Sequence, residues 1–203
     1  MRFPKIDAMR RVFKLFSYPP LNTGGKFNLE SRLQPFYFKG ARNNNTFYSY
    51  NEETIVQNAL TPQDTFKARE VIQDVTTSAE LYITAGTKAI VDDVIDPFAT
   101  RLLEDLKTGG NKGWEYMKKF DKHSTRSYMA LEYKPTGSLG LPDKPLPTDV
   151  INWCETFDKS TGWYDRALSE TVLEAVAFGW SPGRNPPPTP WFCIECACFS
   201  SEF

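Results

Sequence analysis

Three cysteines crowd the C-terminal end of the chain. Cys193, Cys196 and Cys198 stand in the spacing C-x-x-C-x-C, with Cys154 about forty residues earlier. Thiolates so spaced can hold zinc tetrahedrally, and Cys154 would complete a site of four sulfurs. The residues between them argue otherwise. Ile194, Glu195 and Ala197 lack the turn chemistry of a zinc knuckle, while Phe192, Ile194 and Phe199 make the segment apolar. Cys154 also fits the buried face of a helix, a common place for a free thiol. The first reading is therefore structural burial. Zinc on Cys154, Cys193, Cys196 and Cys198 comes second. A covalent adduct, such as an acyl chain or another Cys-linked group on Cys193, Cys196 or Cys198, comes third, and redox pairing last.

The other reactive types are sparse. Asp92 and Asp93 are adjacent, with Asp96 four and three residues on. On a helix Asp92 and Asp96 face the same way about one turn apart, spacing that a divalent metal or an acid/base pair could use. With no matching acidic motif elsewhere, a solvated face is the simpler expectation. The one histidine, His123, lies in the polar run Lys122–Arg126 and reads as a surface residue, which removes the commonest acid/base group. Neither G-x-x-x-x-G-K-[ST] nor G-x-G-x-x-G occurs. Asn22-Thr23-Gly24-Gly25-Lys26 reads as a turn. Aromatic and basic residues interleave over 26–50 in the manner of a single-strand binder, but a pI of about 5.9 argues against nucleic acid.

The elements that would position these groups are mainly helical. Ile6, Met9, Phe13 and Phe16 make one face of a basic amphipathic helix over 5–16, with Arg10, Arg11 and Lys14 off it. Tyr18-Pro19-Pro20 stops it. Residues 19–60 read as an extended arm with two short aromatic strands, 33–40 and 46–50. Thr61-Pro62-Gln63-Asp64 opens a helix whose apolar positions recur through Val71/Ile72, Val75, Tyr82/Ile83, Ile90 and Val94. A break is expected near Thr76-Thr77-Ser78 and a kink or restart at Pro97. Shorter helices follow over 112–122, from Thr148 to Phe157, and over 163–178, with a Pro/Gly-rich strap at 134–147. SPGRNPPPTP (181–190) should run extended.

The fold class that follows is mainly α: a helical domain over about 61–178, aromatic and Pro-rich arms at both ends, and at most a small β element. The divisions are 1–60, 61–180 and 181–203. Charge is polarised. Residues 1–45 carry nine Lys/Arg against two acids, whereas 147–203 carry three against eight. No apolar run reaches bilayer length and no secretory signal is evident, so a reducing intracellular compartment, an organelle included, is expected.

These observations favour a non-enzymatic structural or linker subunit of a larger protein assembly. Its arms would dock on other subunits through Phe3, Phe13, Phe16, Phe36, Tyr37, Phe38 and Trp191, with Arg10, Arg11 and Lys14 setting orientation. The alternatives are a membrane-peripheral protein, held on an anionic surface by the basic helix and the cysteine-rich tail, and a small cysteine-cluster metal module or enzyme.

Overall fold

A computed structural model of the chain describes residues 2–5, 7–22, 29–36, 47–56, 66–73, 77–158, 161–177, 180 and 191–194. The first elements are β1 (Arg2–Pro4), α1 (Arg10–Phe16), β2 (Leu33–Phe36), β3 (Phe47–Tyr50) and β4 (Glu53–Val56). The helical body follows: α2 (Ala68–Val71), α3 (Ala79–Ala85), α4 (Thr87–Thr108), α5 (Lys112–Lys118), α6 (Thr125–Leu131), α7 (Thr148–Asp158) and α8 (Leu168–Ala177). A last strand, β5, spans Trp191–Ile194. The protein is mainly helical, as its periodicity implies.

The axis of the body is α4. It buries Ile90, Val91, Val94, Ile95, Phe98, Ala99 and Leu102, a stripe with the helical period that α5, α7 and α8 cover. The helix runs through Pro97 without ending, although a proline forfeits one backbone hydrogen bond. The breaks fall earlier. Ser78 caps α3 by accepting from the Glu80 amide at 3.3 Å, and Gly86, at φ +80°, separates α3 from α4. The helix start expected at Thr61–Asp64 lies outside the described residues.

Packing at the far end of α4 depends on one glycine. A Cβ on Gly113 would stand 2.4 Å from the backbone carbonyl of Arg101 and 2.7 Å from the Leu102 nitrogen. Only hydrogen fits there, and that lets α5 turn back flush against α4. Phe98 then sits among Tyr116, Phe120 and Tyr128, with ring centroids 5.3–5.4 Å away, an arrangement that adds aromatic pairing to burial.

The two ends of the sequence meet. β5 is the central strand of a three-stranded antiparallel sheet ordered β1-β5-β2, with Phe3 opposite Phe192 and Phe36 opposite Trp191. Strands β3 and β4 form a separate hairpin. Its two turn residues, Asn51 and Glu52, take φ of +50° and +63°, the backbone of a tight two-residue connection that matches strand twist.

Candidate functional site

Among the described residues, a dense polar network joins α6, α7 and the turn before α8. Ser124 caps α6, accepting from the Ser127 amide at 3.1 Å, and this places Arg126 on the side that faces α7. Its guanidinium forks three ways. Nε donates to Asp165 at 2.7 Å, Nη1 to Asn152 at 2.6 Å and Nη2 to Glu155 at 2.8 Å. Burial works against its charge, but the bonds to Asp165 and Glu155 more than offset this and hold its pKa above the usual value. Glu155 is buried, and its second oxygen accepts the Tyr164 amide at 2.6 Å. The Tyr164 hydroxyl donates to Asp158 at 3.0 Å, and burial together with that carboxylate pushes the phenol far up. Beside them, the hydroxyls of Thr125 and Thr171 bond at 2.6 Å in a fully buried pair.

This network is satisfied internally. The guanidinium meets carboxylates and an amide, and the crevice lined by Val91, Val94, Met129, Tyr164 and Thr171 has no room for a water molecule. Its chemistry is that of a joint between helices.

The acidic run is likewise spent on structure. Asp92 pairs with Lys88, and Asp96 accepts from Thr100 at 3.4 Å. Asp93 accepts from the Tyr133 hydroxyl at 2.6 Å, the Thr136 hydroxyl at 2.6 Å and the Thr136 amide at 3.0 Å. That carboxylate pins the strap of residues 134–147 to α4, while Pro135, Leu141 and Leu146 bury beneath it. Nothing in the sequence flagged this pairing except the polar Thr136 beside Pro135.

His123 corrects the surface expectation. It is buried, with Nδ1 3.3 Å from Ser127 Oγ and Nε2 3.6 Å from Glu132. The signal available was its position between the core aromatics Phe120 and Tyr128, the latter 6.4 Å from its ring.

Cys154 lies in the core of α7, where burial pushes its thiol well up, an environment that disfavours the thiolate a metal requires. Cys193 lies on β5, opposite Arg2 and Gln34, while Cys196 and Cys198 fall outside the described residues. Among the described residues no group of three or more His, Cys, Asp or Glu could hold a metal ion. Arg10, Arg11 and Lys14 are exposed on α1, and Phe16 is buried beneath them with Phe13 5.6 Å away. Phe3, Phe36 and Trp191 lie on the three-stranded sheet, where Phe36 stands opposite Trp191 and Phe3 opposite Phe192; Tyr37 and Phe38 lie outside the described residues. No described helix is long and apolar enough to cross a membrane.

No family model matches the chain. Individual proteins do. Over 149 residues, 73% of this chain, it is 56% identical to a cytotoxic L-amino-acid oxidase of Amanita phalloides, whose whole length it covers. Over 188 residues it is 42% identical to L-amino-acid oxidase 4 of Hebeloma cylindrosporum. The chain belongs to the L-amino-acid oxidase family. A bifunctional amine oxidase assigned in Dictyostelium discoideum is more distant, at 29% identity over 206 residues. The chain spans 27% of the Hebeloma oxidase and 16% of the Dictyostelium protein.

Membership in the L-amino-acid oxidase family overturns the reading of a non-enzymatic linker or complex subunit. The error has a physical source. Missing nucleophiles, acid/base pairs and phosphate loops count against an enzyme whose side chains do the hard chemistry. In an oxidase that chemistry belongs to a cofactor, so their absence carries little weight.

Proposed function

We propose that this chain is a helical portion of an enzyme that oxidises L-amino acids, and that its described residues build scaffold. The 56% identity across the whole of the Amanita oxidase carries the reading. The reaction converts an L-amino acid, dioxygen and water into a 2-oxo acid, ammonium and hydrogen peroxide. Two electrons leave the Cα–N unit, the resulting imine is hydrolysed, and dioxygen takes up the electrons.

Such a transfer needs a redox group of the flavin or metal class. The described residues of this chain do not fit one. The sequence carries no dinucleotide fingerprint, and the described strands pair antiparallel, not as the parallel sheet that cradles a pyrophosphate. The crevice beside Tyr164 and Thr171 has no room for a bound group. No step of the oxidation is therefore assigned to the described side chains. Their part is to set helices α4 to α8 in one rigid arrangement through the Arg126 and Asp93 networks.

The test starts from the native protein. An antibody raised to the recombinant 203-residue chain captures its antigen from the source organism, and the captured material is assayed for peroxide with panels of L- and D-amino acids. Peroxide from L-amino acids alone is expected. Captured protein that is inactive on both panels would refute the oxidase reading. A chromophore that co-purifies with the recombinant chain alone would refute the scaffold assignment.

A further inference from the structure

Backbone strain among the described residues is gathered in one joint. Four non-glycine residues have positive φ: Asn51, Glu52, Phe66 and Lys67. Two form the turn of the β3–β4 hairpin, and two lead into α2. Phe66 and Lys67 are consecutive, at +59° and +54°, where the Cβ crowds the following carbonyl and a bulky residue is an outlier. The pairs are tied together, because Asn51 Nδ2 donates to the Phe66 carbonyl at 3.2 Å.

Packing holds the joint shut. Phe66 is completely buried, its ring 6.0 Å from Tyr50 of the hairpin and 5.2 Å from Phe157 of α7. The cost of the strain falls away if the hairpin lifts, since the Phe66–Lys67 backbone can then relax. Strain confined to one joint, while α3 to α8 are free of it apart from glycines at helix ends and turns, marks a segment with two arrangements.

We propose that β3–β4 is a sprung flap. It parts from Phe66 and the helical body, using the Asn51–Phe66 bond as its catch, while the body stays folded. The test is hydrogen exchange by mass spectrometry on the full chain, comparing peptides over 47–56 with peptides over 87–108. Asn51→Ala cuts the catch and should raise hairpin opening about fivefold. Lys67→Gly removes the Cβ conflict and should lower it at least about twofold. In both, exchange in α4 should stay as in the parent. Hairpin and α4 exchange that shift together, or hairpin exchange indifferent to Lys67→Gly, would overturn the flap, even if Asn51→Ala fails to fold.

Discussion

Tyr133 donates its phenol hydrogen to Asp93 at 2.6 Å across forty residues of sequence, and this bond, with the two from Thr136, turns a Pro/Gly-rich strap into part of the core. Tyr133→Phe should cost about 1.5–3 kcal/mol, the worth of a hydrogen bond to a charged group. Urea unfolding of Tyr133→Phe, Thr136→Ala and the double variant should show coupling between the two positions, because both bonds end on one carboxylate. Additive losses would mean that the two bonds act independently, and negligible losses that the strap is held by its buried apolar residues instead.

Alkali should unfold the protein through its buried phenols. Burial and Asp93 push Tyr133 far up, burial and Asp158 do the same to Tyr164, and burial raises Tyr128 to about 12. A folded pKa above the unfolded value means that the native state holds its proton more tightly. The stability is complete below pH 10, the unfolded value, and is lost as pH rises beyond it. Each buried phenol contributes a slope of about 1.4 kcal/mol per pH unit there. The last rise in tyrosinate absorbance above pH 10 should therefore coincide with the loss of helical circular dichroism. Complete ionisation of the phenols before the helices melt would contradict this.

Gly113→Ala tests the close approach of α5 to α4. In an open helix, alanine gains about 1 kcal/mol over glycine. Here the added carbon meets the Arg101 carbonyl at 2.4 Å, so the sign reverses and a loss of about 1–3 kcal/mol is expected. A rise in Tm would show that the helices can separate cheaply.

Arg126→Ala should be severe, since it strands the Glu155 carboxylate, which is only 4% exposed. Breaking one side of such a pair costs about 3–5 kcal/mol. Adding Glu155→Gln removes the uncompensated charge and should recover part of the loss. Denaturant midpoints of the single and double variants decide it, and a double variant weaker than Arg126→Ala would refute the pairing.

Glu52→Gly should stabilise the hairpin. It creates Asn-Gly, the preferred dipeptide for a turn with both residues at positive φ, at a position where glutamate sits at +63°. A net gain of up to about 1 kcal/mol is expected, the relief of about 1–2 kcal/mol of left-handed strain less the entropy cost of about 0.5–1 kcal/mol that glycine adds, read as a higher urea midpoint.

Much of the body was legible in advance. The recurrence of apolar residues through Ile90 and Val94 announced α4, and alternation over 46–50 announced β3. Gly109 caps α4, at φ +71° with its amide on the Asp105 carbonyl at 2.8 Å. Such features are local: a 3.6-residue or two-residue period is written into a few neighbouring side chains. Asp93 was different. Its sequence neighbours are other aspartates, and the strap that consumes it lies forty residues on, so a solvated face and an anchor look alike until the chain has folded. His123 misled for the same reason, since a polar run in sequence became a buried corner once α8 packed beside it, the Leu168 amide donating to the His123 carbonyl at 3.0 Å.

By itself, then, the sequence determined the helical class, most helix positions and the polarised charge, because period, caps and composition act over one or two turns. Its likeness to amino-acid oxidases settled the family, which motif reading could not do for chemistry that a cofactor supplies. Only the tertiary structure decided that Arg126 would bind three partners at once, that the end strands would share a sheet, and that strain would collect at Phe66 and Lys67. Each of those depends on which distant segments meet, and that is set by packing of the whole chain.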